Sequence, residues 1–286
     1  MPAVQSPTVR RRRLARELRQ LREAAALTID EVAQRLEVSS AKISRIETGR
    51  VSVRPRDVID LLDQYGIEGV HRDNLITLTR EARQQGWWHS YTDVMSEGTD
   101  VWVGLEAEAA AVRTFEVQVV PGLLQTSKYA EAILRVYYRT ETPRQIERRV
   151  ELKMARQELV IEHNNTPIWA VLDEAVLRRQ IGPRSLMQSQ YKRLLELCEG
   201  TNVTIQVLPL AAGSYSGAPG AFTIMQLPHP DPEVVVIEYR GGNLYLERSE
   251  EVRMHTDLFD RIRANAIGPD ESLEYITRLA TELDAK

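Results

Sequence analysis

The 286-residue chain is 43% apolar and 27% charged, the balance of a soluble globular protein, and its length predicts two domains. No apolar run approaches the roughly 18 residues of a membrane span, and the basic start MPAVQSPTVRRRR lacks the apolar stretch of a secretory signal. One cysteine, Cys198, excludes an intramolecular disulfide, so a cytoplasmic protein is expected. The net charge of −4 is unevenly placed: residues 1–50 hold 11 Lys/Arg against 6 Asp/Glu, and the remainder holds 26 against 35. Such asymmetry predicts a small head that binds nucleic acid, attached to an acidic body that repels phosphates.

Met1 to Val9 has two prolines and no periodicity, and Arg10 to Arg13 is an unbroken basic run. Residues 1–13 therefore read as a disordered basic arm, with Arg11 and Arg13 placed to wrap a phosphate backbone or enter a minor groove. A first helix is predicted from Leu14 to Ala25, with Leu14, Leu18 and Leu21 inward.

The stretch from Thr28 to Gly49, TIDEVAQRLEVSSAKISRIETG, predicts two short helices joined by a tight turn. Thr28 and Glu31 have the spacing of a capping box, and Ile29, Val32, Ala33 and Leu36 recur on one face. A break at Glu37 to Ser40 follows, with Ser39 as the next N-cap. Ile43 and Ile46 supply the buried side of the second helix, and Gly49 can end it in the left-handed conformation. Its outward residues, Ser40, Ala41, Lys42, Ser44 and Arg45, are small or basic. A helix that enters a major groove needs short side chains near its start and donors that reach base edges and phosphates.

Pro55 is placed to open the next helix, with Val58, Leu61 and Leu62 inward and Gly66 at its end. Arg50, Arg54 and Arg56 flank the exit of the reading helix as candidate phosphate contacts. A last helix of the head is predicted over Arg72 to Gln85. The expected plan is an all-α five-helix domain over residues 14–85, followed by a larger mixed α/β (α+β) domain over 86–286.

In the body, Glu106–Glu116, Ser127–Tyr138 and Arg144–Glu162 read as helices, and Val117–Val120 as a short strand. Ile168–Leu172, Val203–Leu208, Ala221–Leu227 and Val234–Tyr239 are β-rich runs, and Gly241-Gly242-Asn243 joins the last of them to Leu244–Leu246 as a hairpin. Helices from about Glu250 and Asp270 finish the chain. A sheet of four or five strands is expected.

The Thr28–Gly49 stretch closely resembles the helix-turn-helix of the Cro/repressor-type (XRE) family of bacterial regulators. That resemblance implies a homodimer on double-stranded DNA, reading two half-sites about 34 Å apart. It also implies an ion pair between Arg22 and Glu47 that pins the first helix to the reading helix. In such a module Ser40, Ala41 and Arg45 face base edges, while Thr28, Ser39, Lys42, Ser44, Arg50, Arg54 and Arg56 hold phosphates. Two departures stand out. The glutamine that often follows the first capping residue is Ile29 here, and the glycines usual in the two turns are Ala26 and Glu37. The turns are therefore expected to differ in conformation and to tilt the reading helix.

From Gly86-Trp87-Trp88-His89 onward the chain resembles a C-terminal domain of uncharacterised function found in many of these regulators. The matching pieces are VGLEAEAAAVRTFEVQVVPGLLQTSKYAEAIL, Met154-Ala155-Arg156-Gln157, WAVLDEAVLRR, NVTIQVLPLAAG and LYLE. Such regulators are often encoded beside a small partner protein, and some are described as antitoxin-like or developmental. The resemblance implies a dimerisation, sensing or docking role, with a small cognate protein or a small-molecule effector as partner.

No enzyme motif is present. Gly213-Ser214-Tyr215-Ser216-Gly217 has Tyr215 where a nucleophile elbow needs serine, and no phosphate-cradling glycine loop occurs. The histidines at 71, 89, 163, 229 and 255 lack metal-ligand spacing, and Asp173-Glu174 reads as a helix cap. No cofactor is expected, and the alternative is an enzyme with a DNA-targeting head. Trp87, Trp88, Tyr91, Trp102 and Tyr215 are the candidate ligand or partner contacts, and Ala211–Gly220 is the candidate functional loop.

Overall fold

A computed structural model describes residues 7–49, 51–96, 98–200, 202–213, 220–229, 231–240 and 242–284. The chain divides into two compact units, the first ending at His89 and the second starting at Ser90.

The first unit contains α1 (Pro7–Ala24), α2 (Ile29–Arg35), α3 (Ser40–Glu47), α4 (Pro55–Gln64) and α5 (Gly69–Glu81), with a 3-10 turn opening at Trp87. Leu14, Leu18, Val32, Ala33, Ile43, Ile46, Val58, Leu61, Leu62 and Leu75 form one core. These are the positions that helical periodicity turns inward.

Two expectations for this unit are corrected. Arg10–Arg13 are not part of a disordered arm: α1 begins at Pro7 and carries the arginines within it. Thr8 and Val9 are buried, which extends the packed side of the helix beyond Leu14, and arginine is itself a good helix former. Residues 1–6 lie outside the described residues.

The turns without glycine were expected to change conformation. They keep it, with φ of 55° at Ala26 and 53° at Glu37. After each helix the backbone closes a pair of hydrogen bonds. Ala26 N donates to Glu23 O at 3.0 Å and Leu27 N to Arg22 O at 3.1 Å, while Glu37 N donates to Gln34 O at 3.2 Å and Val38 N to Ala33 O at 2.9 Å. Leu27 and Val38 then pack on the core. These bonds and contacts hold a left-handed residue that costs about 1 kcal/mol or more on its own.

The second unit is built on a six-stranded sheet of order β3-β2-β1-β4-β5-β6. Its strands are β1 (Ala111–Glu116), β2 (Ile168–Asp173), β3 (Val203–Leu208), β4 (Phe222–Gln226), β5 (Val234–Tyr239) and β6 (Gly242–Leu246). The first three are mutually parallel, and β4 to β6 continue antiparallel from β1. Around the sheet stand α6 (Thr99–Glu108), α7 (Ser127–Tyr137), α8 (Pro143–Gln157), α9 (Glu174–Arg178), α10 (Arg184–Glu199), α11 (Ser249–Asn265) and α12 (Pro269–Asp284). A π-helical turn, Glu158–His163, continues from α8. Phe115, Val171, Leu208, Phe222, Ile224 and Val235 cover one sheet face together with Phe259 and Ile262 of α11.

The largest correction falls at 106–120. The predicted helix Glu106–Glu116 is two elements: α6 stops at Glu108, and residues 111–116 are the central strand. The predicted strand Val117–Val120 is a connection. The alanine-rich run favours a helix locally, but β2 on one side and β4 on the other pair with residues 111–116 and decide the matter. The sheet has six strands rather than four or five for the same reason. No helix among the described residues is long and apolar enough to cross a membrane.

Candidate nucleic-acid interface

The candidate interface is built by its caps. Thr28 Oγ1 accepts from Glu31 N at 3.2 Å, and Glu31 Oε2 accepts from Thr28 N at 2.8 Å, so α2 starts on a complete capping box. Ser39 Oγ accepts from Lys42 N at 3.2 Å and starts α3. Ile43 and Ile46 are then buried, and Gly49, at φ 64°, closes the helix.

The remaining faces of α3 are decided by the same rotation. Ala41 and Arg45 are exposed, and Ser40, Lys42 and Ser44 are half-buried. Arg45 is held along the helix by a 3.3 Å hydrogen bond from Nε to Ala41 O. Ser39 and Thr28 are exposed beside this face, as are Arg54 and Arg56 at the start of α4. Arg50 lies outside the described residues. Arg11 and Arg13 sit half-buried on α1.

Beneath α3, Arg22 Nε and Nη2 donate to the two oxygens of Glu47 at 2.7 and 2.9 Å. Arg22 Nη1 also donates to Leu27 O at 2.7 Å. Both side chains are buried, and the hydrogen bond with Glu47 raises the arginine's pKa further. A bidentate pair of this kind fixes distance and orientation together, so α1 and the end of the reading helix move as one.

Two acids that periodicity did not single out also shape the interface. Asp57, in the first turn of α4, pairs with Lys42 Nζ at 2.8 Å. Asp30, in the first turn of α2, accepts from the Ser40 hydroxyl. Acids in a first turn are ordinarily read as partners of the helix dipole. Their second role, holding two side chains of the reading helix, depends on the packing of α2 and α4 beside α3.

The aromatic candidates are divided between the two units. Trp87 and Trp88 meet edge to face with centroids 6.0 Å apart. Gly86 allows this, because a Cβ there would stand 2.4 Å from the Trp88 ring. In the second unit the Arg148 guanidinium lies 4.6 Å from the Tyr91 ring centroid, and Trp102 Nε1 donates to Glu106 at 3.0 Å. Tyr215 and most of the Ala211–Gly220 loop lie outside the described residues. Asp173 caps α9, accepting from Ala175 N at 2.8 Å. Burial pushes the Cys198 thiol up to about 11, the opposite of an activated nucleophile. No group of three or more potential ligands that could hold a metal occurs among the described residues.

Short capped helices with a small-residue, basic outer face define a helix-turn-helix protein of the DNA-binding kind, here followed by an α/β second unit. Comparison with family models agrees on both parts: residues 13–75 match a helix-turn-helix domain, and residues 100–278 match a domain of unknown function (DUF5753). The second match covers more than half of the chain, which belongs to the DUF5753 family. No curated protein and no solved structure matches it.

Proposed function

We propose that this protein is a sequence-specific transcriptional regulator of the Cro/repressor type that works in the cytoplasm as a homodimer. The observation that carries the proposal is the outer side of α3. Ser40, Ala41, Ser44 and Arg45 lie together on it, while Ile43, Ile46 and Glu47 are buried behind it. Arg45 and Ala41 face base edges, Arg45 most naturally hydrogen-bonding a guanine. Thr28, Ser39, Ser44, Arg54 and Arg56 hold phosphates, and Lys42 joins them by leaving Asp57. The second unit acts as a dimerisation, sensing or docking module rather than an enzyme, answering to a small cognate protein or a small ligand.

The test compares two arginines across specific and non-specific duplexes. Arg45→Ala relaxes preference at one base position, by about 1–3 kcal/mol of discrimination. Arg54→Ala weakens binding to all sequences and lowers the salt slope by about one. Equal effects of both changes on both duplexes overturn these roles.

A further inference from the structure

The start of the reading helix carries a cation where helix electrostatics favour an anion. Lys42 stands in the first turn of α3, its backbone N–H held by the Ser39 cap. A helix start is the positive end of the macrodipole, and its free N–H groups attract negative charge. α3 has no acid in its own first turn. The missing anion comes from α4, where Asp57 accepts from Lys42 Nζ at 2.8 Å. Pro55 opens α4 two residues earlier and fixes Asp57 in that helix's first turn, the place where a carboxylate is itself stabilised.

This pair differs in kind from the Arg22–Glu47 pin of the same unit. There the contact is bidentate, and the two side chains are only 10% and 4% exposed. Lys42 and Asp57 share a single contact and keep 39% and 28% of their side-chain surface in solvent. An ion pair with that much water around it separates at small cost. Among the described residues the Lys42 ammonium has no other hydrogen bond or ion pair. Lys42, Asp57 and Asp60, one turn further along α4, line a cleft of about 50 Å³ with Leu36, Val38 and Leu61. Such a volume holds a few water molecules, so water or a small cation replaces the ammonium when it leaves.

We propose that Asp57 competes with DNA for Lys42 and thereby sets how tightly the reading helix binds. Its carboxylate occupies on Lys42 the place that a phosphate takes in the complex. The free chain offers the start of α3 as a neutral pair, and the ammonium becomes available only when a phosphate displaces the acid. Displacement opposes binding twice: the pair is broken, and the released carboxylate is left where the phosphate chain repels it. The released carboxylate also draws a cation from solution, which offsets one that the DNA gives up. The salt dependence is therefore flatter than the number of basic side chains implies. Asp57 acts through Lys42 and is a positioning residue. The inference deepens the reading of α3 as the DNA-contacting helix and rests on it.

The test titrates the full chain by fluorescence anisotropy over a range of KCl concentrations. The probes are a duplex that the chain selects from a random-sequence library and a mixed-sequence duplex of equal length. Asp57→Asn is expected to tighten binding of the selected duplex roughly three- to tenfold and to steepen the salt slope by about one. Lys42→Met is expected to weaken binding roughly two- to fivefold more in the Asp57→Asn background than in the unmodified chain. Only in that background is the phosphate contact free of competition. Asp30→Asn makes the same change of charge at the start of α2, where the partner is the Ser40 hydroxyl, and leaves the effect of Lys42→Met unaltered. Asp57→Ser, also neutral and suited to a helix start, serves if Asp57→Asn does not fold. A purely structural Asp57 alters thermal stability and shows no coupling to Lys42. Unchanged or weaker binding by the Asp57 variant, or effects at the two positions that simply add, overturns the proposal while leaving the DNA-binding reading intact. An unmodified chain that binds neither duplex overturns that reading, and this inference with it.

Discussion

The two units handle buried charge in opposite ways. In the first, Arg22 and Glu47 are buried and fully engaged with each other, and the charges proposed to meet DNA, Arg45, Arg54 and Arg56, stand exposed. In the second, Lys153 and Glu116 are desolvated, and neither has a charged hydrogen-bond partner among the described residues. A buried pair that is complete fixes geometry and asks for nothing more. A desolvated charge without such a partner keeps that cost, and its pKa shifts towards the neutral form. The contrast separates charge paired to pin two helices from charge desolvated without a charged hydrogen-bond partner.

Three changes test that contrast. The largest effect is expected at the pin. Arg22→Met strands Glu47 in the core and costs about 3–5 kcal/mol of the first unit's stability, while Arg22→Met with Glu47→Leu recovers much of it. Amide exchange along α3 reads the effect, and unchanged protection in the single variant would show that the pair pins nothing.

The second concerns Glu116 and Lys153 and is a pH profile. Burial and Glu238 raise the folded-state pKa of Glu116, so the folded chain keeps a proton that the unfolded chain releases. Stability of the second unit therefore falls as pH rises from the ordinary carboxyl range to about 8. Lys153 is lowered to about 8, by burial first and then by Arg156, so above that pH the unfolded chain binds the extra proton and stability rises again towards the ordinary lysine range. The expected outcome is a minimum near pH 8, seen in denaturant unfolding followed by the fluorescence of Trp102 and Trp169. Glu116→Gln removes the acidic limb and Lys153→Met the alkaline one. A flat profile in the unmodified chain would mean that neither group is desolvated.

The smallest effect belongs to the turn between α2 and α3. Glu37→Gly relieves a left-handed side chain and stabilises the first unit by up to about 1 kcal/mol, less what glycine adds to the unfolded chain's freedom. Thermal unfolding measures it. A loss instead of a gain would show that the Glu37 side chain contributes more than its strain costs.

The helix-turn-helix was legible because its determinants are neighbours in the chain. Thr28 and Glu31, Ser39 and Lys42, and Ile43 and Ile46 lie three residues apart, so one turn of helix brings them together whatever else the chain does. Asp30 and Asp57 were not legible as partners of Ser40 and Lys42, since those contacts need the angle between helices. Ala26 and Glu37 were misjudged for a related reason. Side-chain preference argued against a left-handed backbone, but the paired hydrogen bonds and the burial of Leu27 and Val38 outweigh that preference. The desolvation of Glu116 and Lys153 was not legible. The two come from β1 and α8, and neither carries a local pattern that sets it apart from an ordinary surface charge.

By itself, the sequence determined the capped pair α2–α3, the inward residues of the head, the charge asymmetry between its ends and the strands at 168–173, 203–208 and 234–239. Hydrogen bonds and apolar spacing within a few residues suffice for each of these. Only the tertiary structure decided that 111–116 is the central strand, that α1 takes in the arginine run, and that Glu116 and Lys153 lose their solvation. Strand pairing and the crossing of helices over a sheet join residues far apart in the chain, and the energy that selects them exists only once both partners are in place.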